Sequence, residues 1–241
     1  MSHGNTTAGA PIITCDGPSG SGKGTVSRAL ASRLGWHLLD SGALYRLVAL
    51  MAQRRGLAAS TIDDVNTDLS ALCEQAANMR VRFEVLDGGR GERVWLSDED
   101  VTSAIRNEQA GNLASSLAAR PEIRRALLDA QHHFRQAPGL VADGRDMGTV
   151  VFPDAQLKLY LTASAAERAR RRFEQLSDEG ANANLDRIYS EISARDERDR
   201  KRKHSPLLPA ADAVELDTTG DTVEESLRRI ETLIRERGLS E

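Results

Sequence analysis

The sequence predicts an α/β fold, a parallel sheet flanked by helices, on three observations. Short apolar runs suited to buried strands alternate with longer stretches of helical periodicity. A glycine-rich loop joins the first apolar run to an amphipathic segment, and polar clusters stand where the strands should end. A chain of 241 residues is long enough for one large domain, or for a core carrying inserted subdomains.

In chain order, the expected strands are Ile12–Asp16, residues 36–39, Leu140–Asp143, residues 157–161 and residues 213–216. Helices are expected over residues 26–34, 44–52, 105–119 and 185–203. Another starts near Val223, where Val223, Leu227, Ile230 and Ile234 recur at helical spacing and should pack one face on the sheet.

Gly17-Pro18-Ser19-Gly20-Ser21-Gly22-Lys23-Gly24-Thr25 follows the first strand directly. Glycines let the backbone fold round a phosphate with its N–H groups pointing inward, through φ values that a Cβ resists. The next helix adds the positive end of its dipole, and Lys23 is placed to reach the β- and γ-phosphates. A nucleoside triphosphate is the implied ligand. The commonest form of this motif has Ser or Thr directly after the lysine, as a Mg²⁺ ligand; here Gly24 stands there and Thr25 follows. This ending resembles nucleoside monophosphate kinases more than GTPases or motor ATPases.

The net charge of -4 gives no general reason to bind nucleic acid or an anionic membrane. The first ten residues are small and polar, without the apolar region of a signal peptide, and are expected to form a loose tail in a cytoplasmic protein. The most apolar helix candidate, residues 44–52, carries Arg46 and is far shorter than the roughly 20 residues needed to cross a bilayer. Cys15 and Cys73 have no metal-ligand spacing and read as reduced structural thiols. His132 and His133 are expected on a polar helix face, without a role.

Two regions break the α/β rhythm. From about Ile62 to Ser103, a helix-like segment precedes two alternating runs, residues 81–85 and 92–96, joined by a turn at Asp87-Gly88-Gly89. That pattern is a β-hairpin, and in a parallel fold it marks an insert. Residues 167–203 hold eleven Lys/Arg against nine Asp/Glu, which suits helices that close over anions and equally suits solvated helices laced with i,i+4 ion pairs.

Residues 38–46, Leu-Leu-Asp-Ser-Gly-Ala-Leu-Tyr-Arg, again run from strand into helix, with Ser41 at or near the N-cap and Arg46 about one turn in. Residues 139–146 end another strand in Asp143-Gly144-Arg145-Asp146. Ligands of open α/β sheets gather at the carboxyl ends of strands, so these clusters imply a donor and an acceptor site side by side.

The phosphate loop, Leu39-Asp40-Ser41-Gly42, the run from Asp143-Gly144-Arg145-Asp146-Met147-Gly148 to Pro153, and Arg195-Asp196-Glu197-Arg198-Asp199-Arg200 together resemble bacterial-type cytidylate kinase. The resemblance covers nearly the whole chain after the tail. It implies a P-loop kinase with core 11–61, 104–166 and 204–241, a monophosphate-binding insert at 62–103 and a helical lid at 167–203. It puts cytosine recognition on Ser115, Arg124 and Asp146, ribose contacts on Arg195 and Asp199, and the acceptor phosphate on Ser41, Arg46, Arg145 and Arg202. Arg168, Arg171 and Arg172 resemble lid residues that reach the donor phosphates.

By spacing, Arg195 and Asp199 share a helix face and can pair with each other. Asp143 ends a strand, so it could hold Mg²⁺ directly or through water, the ion being otherwise carried by phosphates and water. The implied reaction is transfer of the ATP γ-phosphoryl group to CMP or dCMP by a monomer. A kinase for another monophosphate or a metabolite such as shikimate, and a nucleotide-gated RNA-binding protein, are the alternatives; net negative charge weighs against the last.

Overall fold

The computed structural model describes residues 9–64, 66–178, 180, 182–202 and 205–239. Residues 1–8 of the expected tail and Lys203, at the end of the expected lid, lie outside the described residues.

β1 (Ile12–Asp16) is buried along its whole length, as befits a central parallel strand with helices on both faces. It lies between β6 (Leu140–Asp143) and β7 (Leu157–Thr162). With β2 (His37–Asp40) and β8 (Val214–Asp217), the described residues form one parallel sheet ordered β2-β6-β1-β7-β8. All five lie within a residue or so of where the sequence places them.

Period-2 alternation divides the apolar residues between two cores. Ile12, Leu39, Leu140 and Ala142 join the core beneath α2 (Ser41–Arg54). Ile13, Cys15, Val141 and Leu159 join the one beneath α1 (Lys23–Leu34) and the C-terminal helix Val223–Glu236, which buries Leu227, Ile230 and Ile234. Full burial of each such side chain contributes about 1.5–3 kcal/mol. Strand register brings Asp40 opposite Asp143, and Asp143 opposite Cys15, so the acids that end β1, β2 and β6 share one edge.

The segment after α2 holds α3 (Ala59–Asp63), α4 (Ser70–Ala77) and the antiparallel sheet of β3 (Val81–Leu86), β4 (Gly91–Leu96) and β5 (Glu99–Asp100). The hairpin tip rests on α1: a Cβ on Gly89, whose φ is +96°, would lie 2.4 Å from the Ala29 Cα. Buried Glu92 extends this seat, pairing with Arg28 of α1 at 3.7 Å and Arg106 at 3.0 Å.

The helix expected over 105–119 is two helices, α5 (Thr102–Ile105) and α6 (Glu108–Leu117). Asn107 breaks it by accepting the Ala110 N–H at 2.8 Å as an N-cap. α7 (Pro121–His132) follows. His132 is exposed on α7, as expected, but it also has a packing contact: its Nε2 bonds the Val151 carbonyl at 2.8 Å and its ring lies 5.6 Å from that of Phe152, tying α7 to the turn after β6.

After β7, α8 (Ala165–Asp178) and α9 (Leu185–Arg200) pack on each other through Ala169, Ile188 and Ile192, a small core separate from the sheet's. Their outer faces carry i,i+3 and i,i+4 pairs such as Arg170 with Glu167 and Glu174, so part of the charge density is solvated surface. The helix Val223–Glu236 is α10. Burial pushes the Cys15 thiol up to about 12, leaving it inert. Among the described residues, no helix is long and apolar enough to cross a membrane.

Candidate active site

Gly17, Gly20 and Gly22 adopt φ of 147°, 79° and 84°, the left-handed half of conformational space that bends the loop round an anion. At Gly17 a Cβ would also lie 2.1 Å from the Leu161 carbonyl oxygen, so only glycine fits between loop and β7. Lys23 opens α1, with its Nζ 3.8 Å from Asp143 Oδ1 and 3.5 Å from the Pro18 carbonyl. Burial favours the neutral form of both partners: it lowers the Lys23 ammonium, which Arg145 lowers further, and raises the Asp143 carboxyl. At Gly24 a Cβ would lie 3.1 Å from Asp143 Oδ2 and 3.4 Å from the Arg28 guanidinium, a tight fit to which those side chains would have to yield by a few tenths of an ångström. Thr25, the next hydroxyl, accepts from Arg28 at 3.3 Å.

On the acceptor side, the N-cap of α2 is Asp40, which accepts the Ala43 N–H at 2.9 Å; Ser41 is the first helical residue. The Ser41 hydroxyl donates to Gln131 at 2.8 Å. Arg46 donates to the Ile105 and Asn107 carbonyls at 2.8 and 3.0 Å, so carbonyl dipoles hold its guanidinium in the cleft wall. A Cβ on Gly111 would lie 3.0 Å from that guanidinium, and Ser115 is buried one turn further along α6.

Arg124 of α7 pairs with buried Asp146 beyond β6, and its guanidinium lies 5.7 Å from the centre of the Tyr45 ring. Asp199 receives Arg145 at 3.3 Å on one oxygen and Arg202 on the other. The expected Arg195–Asp199 pair therefore does not form, because Arg145, from a distant loop, and Arg202, three residues further on, occupy the carboxylate. Arg195 is left with a buried, unpartnered Nε, and burial together with the Arg145 charge pushes it down to about 10. A buried guanidinium N–H without a partner is costly, and it suits an anionic ligand.

The three arginines of α8 differ. Arg168 is buried and engaged with the Ala163 and Ser19 carbonyls at 3.0 Å each and bidentately with Asp196, so it braces the phosphate loop from behind. Arg171 bonds the Thr218 carbonyl at 2.5 Å and Glu167 at 2.8 Å, and passes 3.5 Å from the Cβ position of Gly22. Arg172 bonds the Gln175 amide oxygen at 2.8 Å. Arg171 and Arg172 line the same cleft as Arg46 and Arg195, a space of about 1210 Å³ running from the phosphate loop to the acceptor arginines.

For a metal, the donor set is sparse. Among the described residues no cluster of three His, Cys, Asp or Glu side chains could hold an ion. Asp143 Oδ1 is buried without a hydrogen-bond partner, and the missing side chain at Gly24 leaves room beside Oδ2. That fits an ion held by one carboxylate and completed by phosphates and water.

Sequence reasoning did not single out Asp16, Tyr45 or Gly111. Asp16 accepts the Met147 and Gly148 N–H groups, each at 2.8 Å, and so holds the loop that carries Arg145 and Asp146. Its signal was an acid at the end of a central strand, where an apolar residue is the rule. Gly111 and Tyr45 carry no comparable signal.

Comparison with known proteins agrees with this geometry. The sequence model of the cytidylate kinase family matches residues 13–236. The chain is 55% identical over 231 residues to a cytidylate kinase of Pseudomonas savastanoi pv. phaseolicola, covering 96% of this chain and 98% of that protein. It is 54% identical over 229 residues to a cytidylate kinase of Azotobacter vinelandii, covering 95% of this chain and 97% of that one. With a match of this extent across the phosphate loop, the arginine-lined cleft and the Arg124–Asp146 pair, the chain belongs to the cytidylate kinase family.

Proposed function

We propose that this protein transfers the γ-phosphoryl group of ATP to CMP or dCMP, giving ADP and CDP or dCDP, and that it does so as a cytoplasmic monomer. The 55% identity to a cytidylate kinase across nearly the whole chain carries this reading. The Arg124–Asp146 pair supports it, because cytosine presents an exocyclic amine donor beside acceptors at N3 and O2. A carboxylate and a guanidinium match that edge, whereas uracil turns a carbonyl towards Asp146.

The acceptor is already an anion, so the work is bringing two mutually repelling groups into line and neutralising the charge that develops between them. No covalent enzyme intermediate is needed. The loop amides and Lys23 hold the donor phosphates; Arg46, Arg145 and Arg202, with Ser41, hold the acceptor phosphate, Arg195 and Asp199 meet the ribose, and Ser115 joins Arg124 and Asp146 at the base. Arg171 and Arg172 approach the donor from α8, while Arg168 fixes the loop they act on. Asp143 would hold Mg²⁺, which would supply positive charge against that developing on the donor phosphates. The helices α8 and α9 act as the lid and residues 62–103 enlarge the acceptor side, so closure excludes the water that would otherwise hydrolyse ATP.

A coupled assay of ADP formation across CMP, dCMP, UMP, AMP and shikimate tests the reading. CMP and dCMP should give by far the highest kcat/KM. A different preferred acceptor, or none, would overturn it.

A further inference from the structure

Asp16 stands directly before the phosphate loop, yet its carboxylate engages the loop after β6. It is buried, with 5% of its surface exposed, and each oxygen accepts one backbone N–H of the loop after β6: Met147 on Oδ1 and Gly148 on Oδ2, both at 2.8 Å. The residue between the β6 end and these amides that matters most is Asp146, whose backbone (φ -145°, ψ 24°) is neither strand nor helix. Its carbonyl accepts the Val150 and Val151 N–H groups at the start of a single wide, π-helical turn over Met147–Val151. Gly144 N is bonded to the Cys15 carbonyl at 3.1 Å. The loop that presents Arg145 and Asp146 is therefore pinned to β1 on both sides, by the Cys15 backbone before them and the Asp16 side chain after them.

A buried carboxyl is an expensive way to satisfy two amides in a sheet core, and burial pushes this one up to about 7. An apolar residue at the end of β1 would suit the core and leave the two amides unpaired. The geometry points to Asp16 as a positioning residue for acceptor recognition: it fixes the direction in which Asp146 and Arg145 leave the loop, and through Asp146 it sets the choice of acceptor base. It touches no substrate. This inference rests on the proposed base-reading role of Asp146.

The closing experiment uses the full chain with Asp16→Asn, Asp146→Asn and the double variant, and measures kcat and KM for CMP, UMP and ATP. An asparagine offers one acceptor oxygen and turns its NH₂ on the other amide, so one clamp bond becomes a clash while the side-chain volume is kept. Asp16→Asn should raise KM for CMP and lower kcat/KM by about ten- to a hundredfold, narrow the CMP-to-UMP preference, and leave KM for ATP within about twofold. A merely structural defect would move ATP and CMP together. In the double variant the loss of base preference should equal that of Asp146→Asn alone, because both act through one carboxylate.

An unchanged CMP-to-UMP ratio in Asp16→Asn, with Asp146→Asn narrowed, would overturn this inference and leave the reading of Asp146 standing. An unchanged ratio in Asp146→Asn would remove both. Additive losses in the double variant would also overturn it. If Asp16→Asn does not fold, Asp16→Ser, which keeps a smaller acceptor, is measured in the same way against the same outcomes.

Discussion

Asp199 and Arg145 meet across 54 residues, with the Nε of Arg145 3.3 Å from Asp199 Oδ2, while Arg202 takes the other oxygen of the same carboxylate. One acid on α9 thus orients two guanidiniums toward the acceptor arginine cluster.

Removing that acid should cost both acceptors. Asp199→Ala leaves Arg145 and Arg202 without an anchor, and kcat/KM for CMP and dCMP should fall by roughly ten- to a hundredfold. CMP should lose more, because in the proposed reading Asp199 also meets the 2′-hydroxyl. Specificity constants for both substrates decide the point: equal losses confine Asp199 to holding arginines.

Lys23 sits buried at the helix start, aimed into the phosphate loop. Lys23→Met should fold, since the methylene stem is kept, and should lose about a hundredfold or more in turnover, as charge facing the β- and γ-phosphates disappears. Near-normal kcat in the purified variant would take Lys23 out of the mechanism.

For base choice, Asp146→Asn places an amide donor where the cytosine amine needs an acceptor. An unpaired polar edge in a dry site costs about 1–3 kcal/mol, so the CMP-to-UMP ratio of kcat/KM should shrink by roughly ten- to a hundredfold. Competition between the two acceptors in one reaction mixture reads the ratio directly.

The Asp16 carboxyl titrates at about 7 in the folded chain, raised first by burial and further by the facing charges of Asp146 and Asp143, with the Met147 and Gly148 amides opposing. Unfolded, it titrates near 3.9. Between these values the folded chain holds a proton that the unfolded chain has released, so this group's contribution to stability is present below about pH 4 and is lost as pH rises to 7. Asp16→Asn cannot titrate. Its unfolding free energy, measured by urea at pH 4 and pH 7.5, should therefore gain on wild type by roughly 4 kcal/mol across that span. A constant difference between the two proteins would place the Asp16 carboxyl at an ordinary value.

Gly89 and Gly88 allow a paired test of how the hairpin tip is seated. Both have positive φ, but a Cβ on Gly88 meets nothing within 4 Å, whereas one on Gly89 meets the backbone of Ala29 and Arg28. Gly88→Ala should cost about 1 kcal/mol of backbone strain. Gly89→Ala should cost that and about 1–3 kcal/mol more, as the tip is forced off α1. Equal urea midpoints for the two variants would show that the tip does not bear on the helix.

The strands, the phosphate loop and the hairpin were legible in the sequence because each rests on a local pattern: a continuous apolar run for a strand covered on both faces, glycines ahead of a lysine, alternation either side of Asp87-Gly88-Gly89. Chain order together with the carboxyl-edge rule also brought the acids of β2 and β6 to one site. Side-chain partners followed different physics. Spacing allowed Arg195 to pair with Asp199, but Arg145, from 54 residues away, takes one oxygen of that carboxylate and Arg202, three residues on, takes the other, while the Arg195 Nε stays unpartnered. Helical periodicity ran through Asn107, whose side chain instead starts a new helix. Asp16 read as the polar end of a strand, and only the fold shows its two oxygens holding amides 131 and 132 residues away. Local propensity acts within a few residues and is written in the sequence; the choice among competing partners for a buried charge depends on which of them the fold brings within about 3 Å, and that is settled only when the chain has closed on itself.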